Sequence, residues 1–189
     1  MGDVSRKASR RQDIIDAATE LVRERGVAGT SIADIVEASG TSAGAIYHHF
    51  PNKNALLLDI VRTAVYAPQQ VMKAMRVHPL SPAEFTVAAC RGLAVDLDRA
   101  RLMLAFGAAA ATDDELGHLL REEFASLRDD VVELFGLWAK DNGVDPAQAY
   151  GYTQLSMGLI QGCAIQLLLV GGFDEDAYCQ QILDILTVS

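Results

Sequence analysis

The sequence predicts an all-α chain of about nine helices, with a small N-terminal three-helix head followed by a longer helical body. Three observations predict this. Apolar residues recur at helical spacing in every periodic stretch, and no alternating strand pattern of useful length is present. Helix starts are marked by capping residues, and helix stops by glycines. The linkers between periodic stretches are short, without repeats or low-complexity tracts.

The elements follow in order. Ser9-Arg-Arg-Gln12 and Ser31-Ile-Ala-Asp34 have capping-box spacing, in which a hydroxyl and a side chain three residues on satisfy each other's backbone N–H. Ser81-Pro82-Ala-Glu84 and Asp145-Pro146-Ala-Gln148 add proline at the first helical position, where its missing N–H costs nothing. Asn52 and Asp174 precede two further helices. Gly26, Gly40 and Gly143 supply stops. The predicted helices are 10–25, 32–38, 42–49, 53–77, 82–97, 99–111, 114–142, 146–170 and 175–187. Pro68 is expected to kink the fourth.

Composition narrows the class. Half of the 189 residues are apolar and 22% are charged, enough for a packed core and against wholesale disorder. The N-terminus is polar and basic, with no apolar stretch of a secretory signal behind it. The most apolar run, 155–173, is broken by Ser156, Gln161, Gln166 and four glycines, so a buried helix is expected rather than a membrane span. Cys90, Cys163 and Cys179 are odd in number and far apart in sequence, which fits a reduced, cytoplasmic setting better than zinc or disulfides.

The net charge of −9 is unevenly placed. Residues 1–55 carry seven Lys/Arg and seven Asp/Glu, and residues 56–189 carry nine and eighteen. Within the neutral head, Arg6, Lys7, Arg10 and Arg11 form a basic arm opposed locally only by Asp3. Such an arm suits phosphates, which the acidic body would repel.

Residues 10–55 form one unit. Ile14, Ala18, Leu21 and Val22 share one helical face, as do Ile32, Ile35 and Val36 on the next helix. Ser39-Gly40-Thr41 makes a tight turn into a third helix, where Ile46 and Phe50 face inward one turn apart. This is the pattern of a helix-turn-helix, with Thr41–Phe50 as the recognition helix. Its leading residues Thr41, Ser42, Ala43 and Gly44 are small, and the first two are polar, so the helix can approach base edges closely. Gly44 costs about 1 kcal/mol of helix stability against alanine, for which close approach is a motive. Tyr47 and His48 lie one turn further along the same side, and Lys53 opens the next helix. The adjacent histidines point about 100° apart on a helix, so no metal site is expected.

The stretch GTSIADIVEASGTSAGAIYHHFPNKNALL resembles the DNA-binding head of the TetR family of bacterial regulators. The resemblance covers about residues 10–58 and is carried by Gly29-Thr30-Ser31, Gly40, Gly44, Tyr47, His49-Phe50 and Lys53. It implies a DNA-binding domain at 1–55 and a ligand-binding and dimerisation domain at 56–189. It implies a homodimeric transcriptional repressor on palindromic double-stranded DNA, released by a small apolar or amphipathic effector. Carried across, Thr30, Ser31 and Lys53 would meet phosphates, Thr41, Ser42, Ala43 and Gly44 the major groove, and Tyr47 and His48 backbone or bases. The position of Ala43 often holds a longer polar or basic side chain in the family, so strong guanine readout is not expected here.

The body carries no motif of its own. Within the frame the resemblance implies, Met72, Met75, Met103, Phe106 and Trp138 are candidates for the ligand pocket. Leu155, Gly158, Leu159, Gly162, Ile165, Leu169, Tyr178, Ile182, Ile185 and Leu186 are candidates for the dimer face. No Ser/His/Asp order, HExxH or phosphate loop is present, so neither an enzyme nor a cofactor is expected. A protein–protein adaptor that kept the head but lost DNA binding is a third class, which the basic arm and the intact 41–53 stretch disfavour.

Overall fold

A computed structural model describes residues 2–65 and 74–186, with side chains described for 10–63 and 74–186. Every regular element among them is helical. The helices are α1 (Gly2–Arg25), α2 (Ile32–Ser39), α3 (Ala43–His49) and α4 (Lys53–Ile60), the last running into a π-helical turn, Val61–Val65. The described part of α5 is 74–77. Then come α6 (Pro82–Val95), α7 (Leu97–Ala110), α8 (Asp114–Asp141), a 3₁₀ turn (Pro146–Gln148), α9 (Ala149–Leu169) and α10 (Glu175–Leu186).

Most caps stand where the sequence puts them. Ser31 and Ser81 both close full capping boxes, with Asp34 and Glu84. Asn52 accepts from the Ala55 N–H, and Asp174 from the Ala177 N–H, each at 2.9 Å or less. Gly26, Gly40 and Gly143 all have φ between +63° and +71°, the left-handed conformation that ends a helix and that a Cβ disfavours.

Three expectations need correction. Ser9 is not an N-cap, because α1 runs through it from Gly2. A single interior serine costs too little to stop the helix. Asp145 caps only a 3₁₀ turn before α9, accepting from the Ala147 N–H, and Gln148 makes no reciprocal bond. Helix 53–77 is not one uniform α-helix, since its hydrogen-bond ladder loosens to π geometry at Val61–Val65. Pro68 lies outside the described residues.

The chain divides into two compact units, Met1–Tyr66 with Leu102–Leu120, and Ala67–Arg101 with Arg121–Ser189. In the first, Ile14, Ile15, Ala18 and Val22 of α1 are at most 1% exposed, as are Ile35 of α2, Ile46 of α3, and Leu56, Leu57 and Ile60 of α4. Fully burying one such side chain is worth about 1.5–3 kcal/mol, so this apolar set holds the short helices in place. Leu102, Phe106, Leu116 and Leu120 are buried apolar side chains that 102–120 adds.

In the second unit, α6, α9 and α10 share one core of Ala83, Val87, Cys90, Cys163, Cys179, Ile182 and Leu186. The three cysteines, distant in sequence, therefore meet as free, buried thiols. Burial pushes all three thiols up from the ordinary range, Cys179 to about 11, so they are poor nucleophiles. A second cluster joins Val131 and Phe135 of α8 to Ala149, with Phe85 edge-on to Phe135 at 5.4 Å. No helix among the described residues is long and apolar enough to cross a membrane.

Candidate nucleic-acid interface

The site is built on α3. Ser42 caps it by accepting from the Ala45 N–H, and the Phe50 N–H closes it on the Ile46 carbonyl at 2.8 Å. Ile46 is fully buried and Phe50 2% exposed, so one face is locked into the head. The opposite stripe, Ala43, Gly44, Tyr47 and His48, is exposed throughout. Residues three and four apart, such as Gly44 with Tyr47 and His48, and Ala43 with Tyr47, are neighbours on such a surface. Tyr47 is 53% exposed. His49 is half-buried with its ring near those of His48 and Phe50, as expected of a packing residue.

The turn from α2 to α3 is fixed by hydroxyls. Ser39 Oγ donates to the Ile35 carbonyl at 2.6 Å. Its proton is thereby used, so in the 3.0 Å contact between Ser39 Oγ and Thr41 Oγ1 the donor is Thr41. Thr41 is half-buried and spends its proton inside the turn.

The hydroxyls expected to meet phosphate at α2 are similarly committed. Thr30 is 2% exposed and donates to the Gly26 carbonyl at 2.9 Å. Ser31 donates to the Asp34 carboxylate and accepts from the Asp34 N–H. Asp34 also accepts from the Ser31 N–H at 2.8 Å and lies 3.6 Å from Arg25. Its hydroxyl and amide partners at Ser31 hold this carboxyl below the usual carboxylate range. A fixed negative charge at the start of α2 was not foreseen, although the capping-box spacing contains it. Of the four Ser and Thr hydroxyls at the expected contact positions, Ser42 alone has a proton not engaged in these bonds.

Gly29 explains the residue before them. A Cβ there would stand 2.4 Å from the Arg25 carbonyl oxygen, so only glycine lets the chain close over the end of α1. Gly44 is different, since a Cβ would meet nothing closer than Ser42 Oγ at 3.9 Å. Nothing inside the head requires glycine at that position.

The basic groups are partly spoken for. Lys53 Nζ donates to the Val27 carbonyl at 2.8 Å and is half-buried. Burial lowers its pKa from the ordinary value, opposed by the nearby charges of Asp113 and Asp34. Arg11 does not belong to a free arm, because its guanidinium pairs with Asp59 of α4 and lies 5.1 Å over the Phe50 ring. Asp59 also faces Arg62 at 3.6 Å. Arg11 is thus opposed by a carboxylate 48 residues away. Arg10 is exposed on α1, and the side chains of Arg6 and Lys7 lie outside the described residues.

Of the pocket candidates, Met103 and Phe106 belong to the first compact unit and Met75 and Trp138 to the second. Phe106 is buried, and Met75, Met103 and Trp138 are half-buried. Met72 lies outside the described residues.

The dimer-face candidates divide. Leu155, Ile165 and Leu169 of α9 are 46%, 44% and 72% exposed, and Ile185 of α10 is 70% exposed. Gly158 opens onto free space on the same stripe of α9. Ile182 and Leu186 are not surface residues, being 2% and 3% exposed in the core shared by α6, α9 and α10. Tyr178 is turned inward too, donating to the Leu159 carbonyl at 2.9 Å beside Gly162. Leu159 and Gly162 are half-buried.

Similarity to known proteins matches this geometry. The family described as bacterial regulatory proteins, tetR family, matches residues 14–60, and the BetI-type transcriptional repressor C-terminal family matches 83–187. The HTH-type transcriptional repressor KstR2 of Rhodococcus jostii is 40% identical over 60 residues, which span 32% of this chain and 29% of that protein. The HTH-type transcriptional regulator TtgR of Pseudomonas putida is 51% identical over 47 residues, 25% of this chain and 22% of that protein. The chain thus matches less than a third of the length of these curated relatives. NalD of Pseudomonas aeruginosa, the secondary repressor of the MexAB-OprM multidrug efflux pump, superposes with a TM-score of 0.72 at 24% identity, over 95% of this chain and 94% of that one.

Proposed function

Since the chain belongs to the TetR family of bacterial regulatory proteins, we propose that it is a transcriptional repressor binding a near-palindromic operator as a homodimer and released by a small apolar or amphipathic effector. The observation that carries this reading is the exposed stripe of Ala43, Gly44, Tyr47 and His48, held outward by a buried Ile46. A helix displayed in this way enters a major groove, and twofold pairing of two heads places two such helices on two half-sites.

The working division is a DNA-binding domain at 1–55 and an effector-binding and dimerisation domain at 56–189, in a cytoplasmic protein without catalytic activity. The exposed apolar stripe of Leu155, Ile165 and Leu169, with Ile185, supports pairing through α9 and α10. Contact with phosphates falls to Arg10 and the flanking Arg6 and Lys7, to Ser42 and Tyr47, and to Lys53 once it leaves Val27.

The test is fluorescence anisotropy with the intergenic duplex upstream of the protein's own gene. Binding should be tight at ~50 mM salt and weaken steeply as salt rises, because each neutralised phosphate releases counterions. No binding to that duplex, or to a pool of random duplexes, at ~50 mM salt would overturn the reading.

A further inference from the structure

We infer that Ala43 reads a thymine in each operator half-site through its methyl group, and that α3 fixes no guanine by paired hydrogen bonds. The inference deepens the DNA-binding reading above and rests on it. The stripe that α3 displays consists of Ala43, Gly44, Tyr47 and His48. Bidentate reading of guanine requires arginine or lysine, bidentate reading of adenine requires asparagine or glutamine, and reading of the cytosine amino group requires a carboxylate. The stripe holds none of these.

The neighbouring hydroxyls do not fill the gap. Thr41 donates to Ser39, and Ser42 Oγ accepts from the Ala45 N–H at 3.2 Å, leaving a single proton between them. Tyr47 and His48 each offer a single hydrogen bond, which purine N7 accepts equally from adenine and guanine. Ala43 is the exposed carbon group on this stripe with no polar atom of its own, and its complement on a base edge is the thymine C5 methyl. Gly44 beside it lets the backbone approach, since nothing within the head lies near its missing Cβ. The specificity of α3 is therefore one of shape and methyl contact, with tolerance between purines at the flanking positions.

The experiment uses the full-length protein and a duplex selected from a randomised 30-base-pair pool. Each thymine of a half-site is replaced in turn by deoxyuridine, which removes only the methyl. One position per half-site should lose about fourfold in affinity, what burying one methyl-sized group is worth. The A43G variant should bind thymine and deoxyuridine duplexes equally at that position, while A43Q should gain preference for adenine there. Unchanged affinity for every deoxyuridine duplex, or equal discrimination by wild type and A43G, overturns this inference alone. Failure to select any duplex overturns it together with the DNA-binding reading.

Discussion

Lys53 Nζ lies 2.8 Å from the carbonyl oxygen of Val27, tying the first turn of α4 to the loop between α1 and α2. A part-buried bond from a charged donor contributes about 1.5–3 kcal/mol when intact. Lys53→Met should therefore lower the thermal midpoint of the free protein, as followed by circular dichroism. A residue reserved for phosphate would leave that midpoint unchanged and weaken operator binding alone.

Gly29 and Gly44 should respond in opposite ways to alanine. Gly29→Ala forces a Cβ against the Arg25 carbonyl and should cost about 1–3 kcal/mol of stability. Gly44→Ala meets open space and should stabilise the free head by about 0.5–1 kcal/mol, through helix propensity. In the proposed complex the same variant should weaken operator binding, because its methyl would stand on the face assigned to DNA. Thermal melts and anisotropy on one preparation separate the two effects, and a Gly44→Ala protein that bound DNA normally would remove the motive assigned to that glycine.

Tyr47→Ala should leave the melting temperature within error and reduce operator affinity roughly tenfold or more, the worth of a hydrogen bond to a charged group. The ring is 53% exposed, so its removal opens no core cavity. Parallel loss of stability and affinity would reassign Tyr47 to the fold.

Neighbours on α10 should behave differently. Ile182→Ala removes a side chain 2% exposed in the core and should cost about 2–5 kcal/mol. Ile185→Asp, at a position 70% exposed, should leave helicity intact and shift sedimentation toward the monomer, as should Leu169→Asp on α9. A wild-type protein sedimenting as a monomer at micromolar concentration would count against the proposed dimer.

Alkaline pH should weaken the second unit. Burial raises Cys179 from 9.0 to about 11 and Tyr178 from 10.0 to about 12. Between the ordinary and raised values the folded state holds protons that the unfolded chain has released, so stability falls as pH climbs from about 9 toward 12. Urea titrations across that range should show the decline, and Cys179→Ala should make it shallower. Lys53 acts in the opposite sense, since its lowered pKa favours the folded state as pH rises toward 10.5.

Much of this was legible because it is local. Caps such as Ser31 and Asn52, the Gly40 turn, and the inward pair Ile46 and Phe50 depend on residues within a few positions of each other, and sequence shows those spacings directly. What depended on distant partners was not legible. Nothing near Arg11 announces Asp59, and nothing near Lys53 announces Val27, so both basic groups were expected to be free for phosphate. The apolar residues of α10 show the same limit from the other side. Periodicity marked Tyr178, Ile182, Ile185 and Leu186 as one apolar set, but only the position of α6 and α9 decides which of them face inward. The hydroxyls of Thr30, Ser31 and Thr41 were expected to meet DNA, but their protons are engaged within the head itself.

The first compact unit reaches beyond its contiguous stretch to recruit Leu102–Leu120. A gene fragment ending near residue 66 would encode every residue of the recognition helix yet omit Leu102, Phe106, Leu116 and Leu120, and Asp113 whose charge steadies Lys53. The compact unit that carries the recognition helix is therefore discontinuous in the gene. Grafting this head onto a foreign body should succeed only when the donor's 102–120 travels with it, and protease nicks between residues 66 and 102 should leave the two pieces associated.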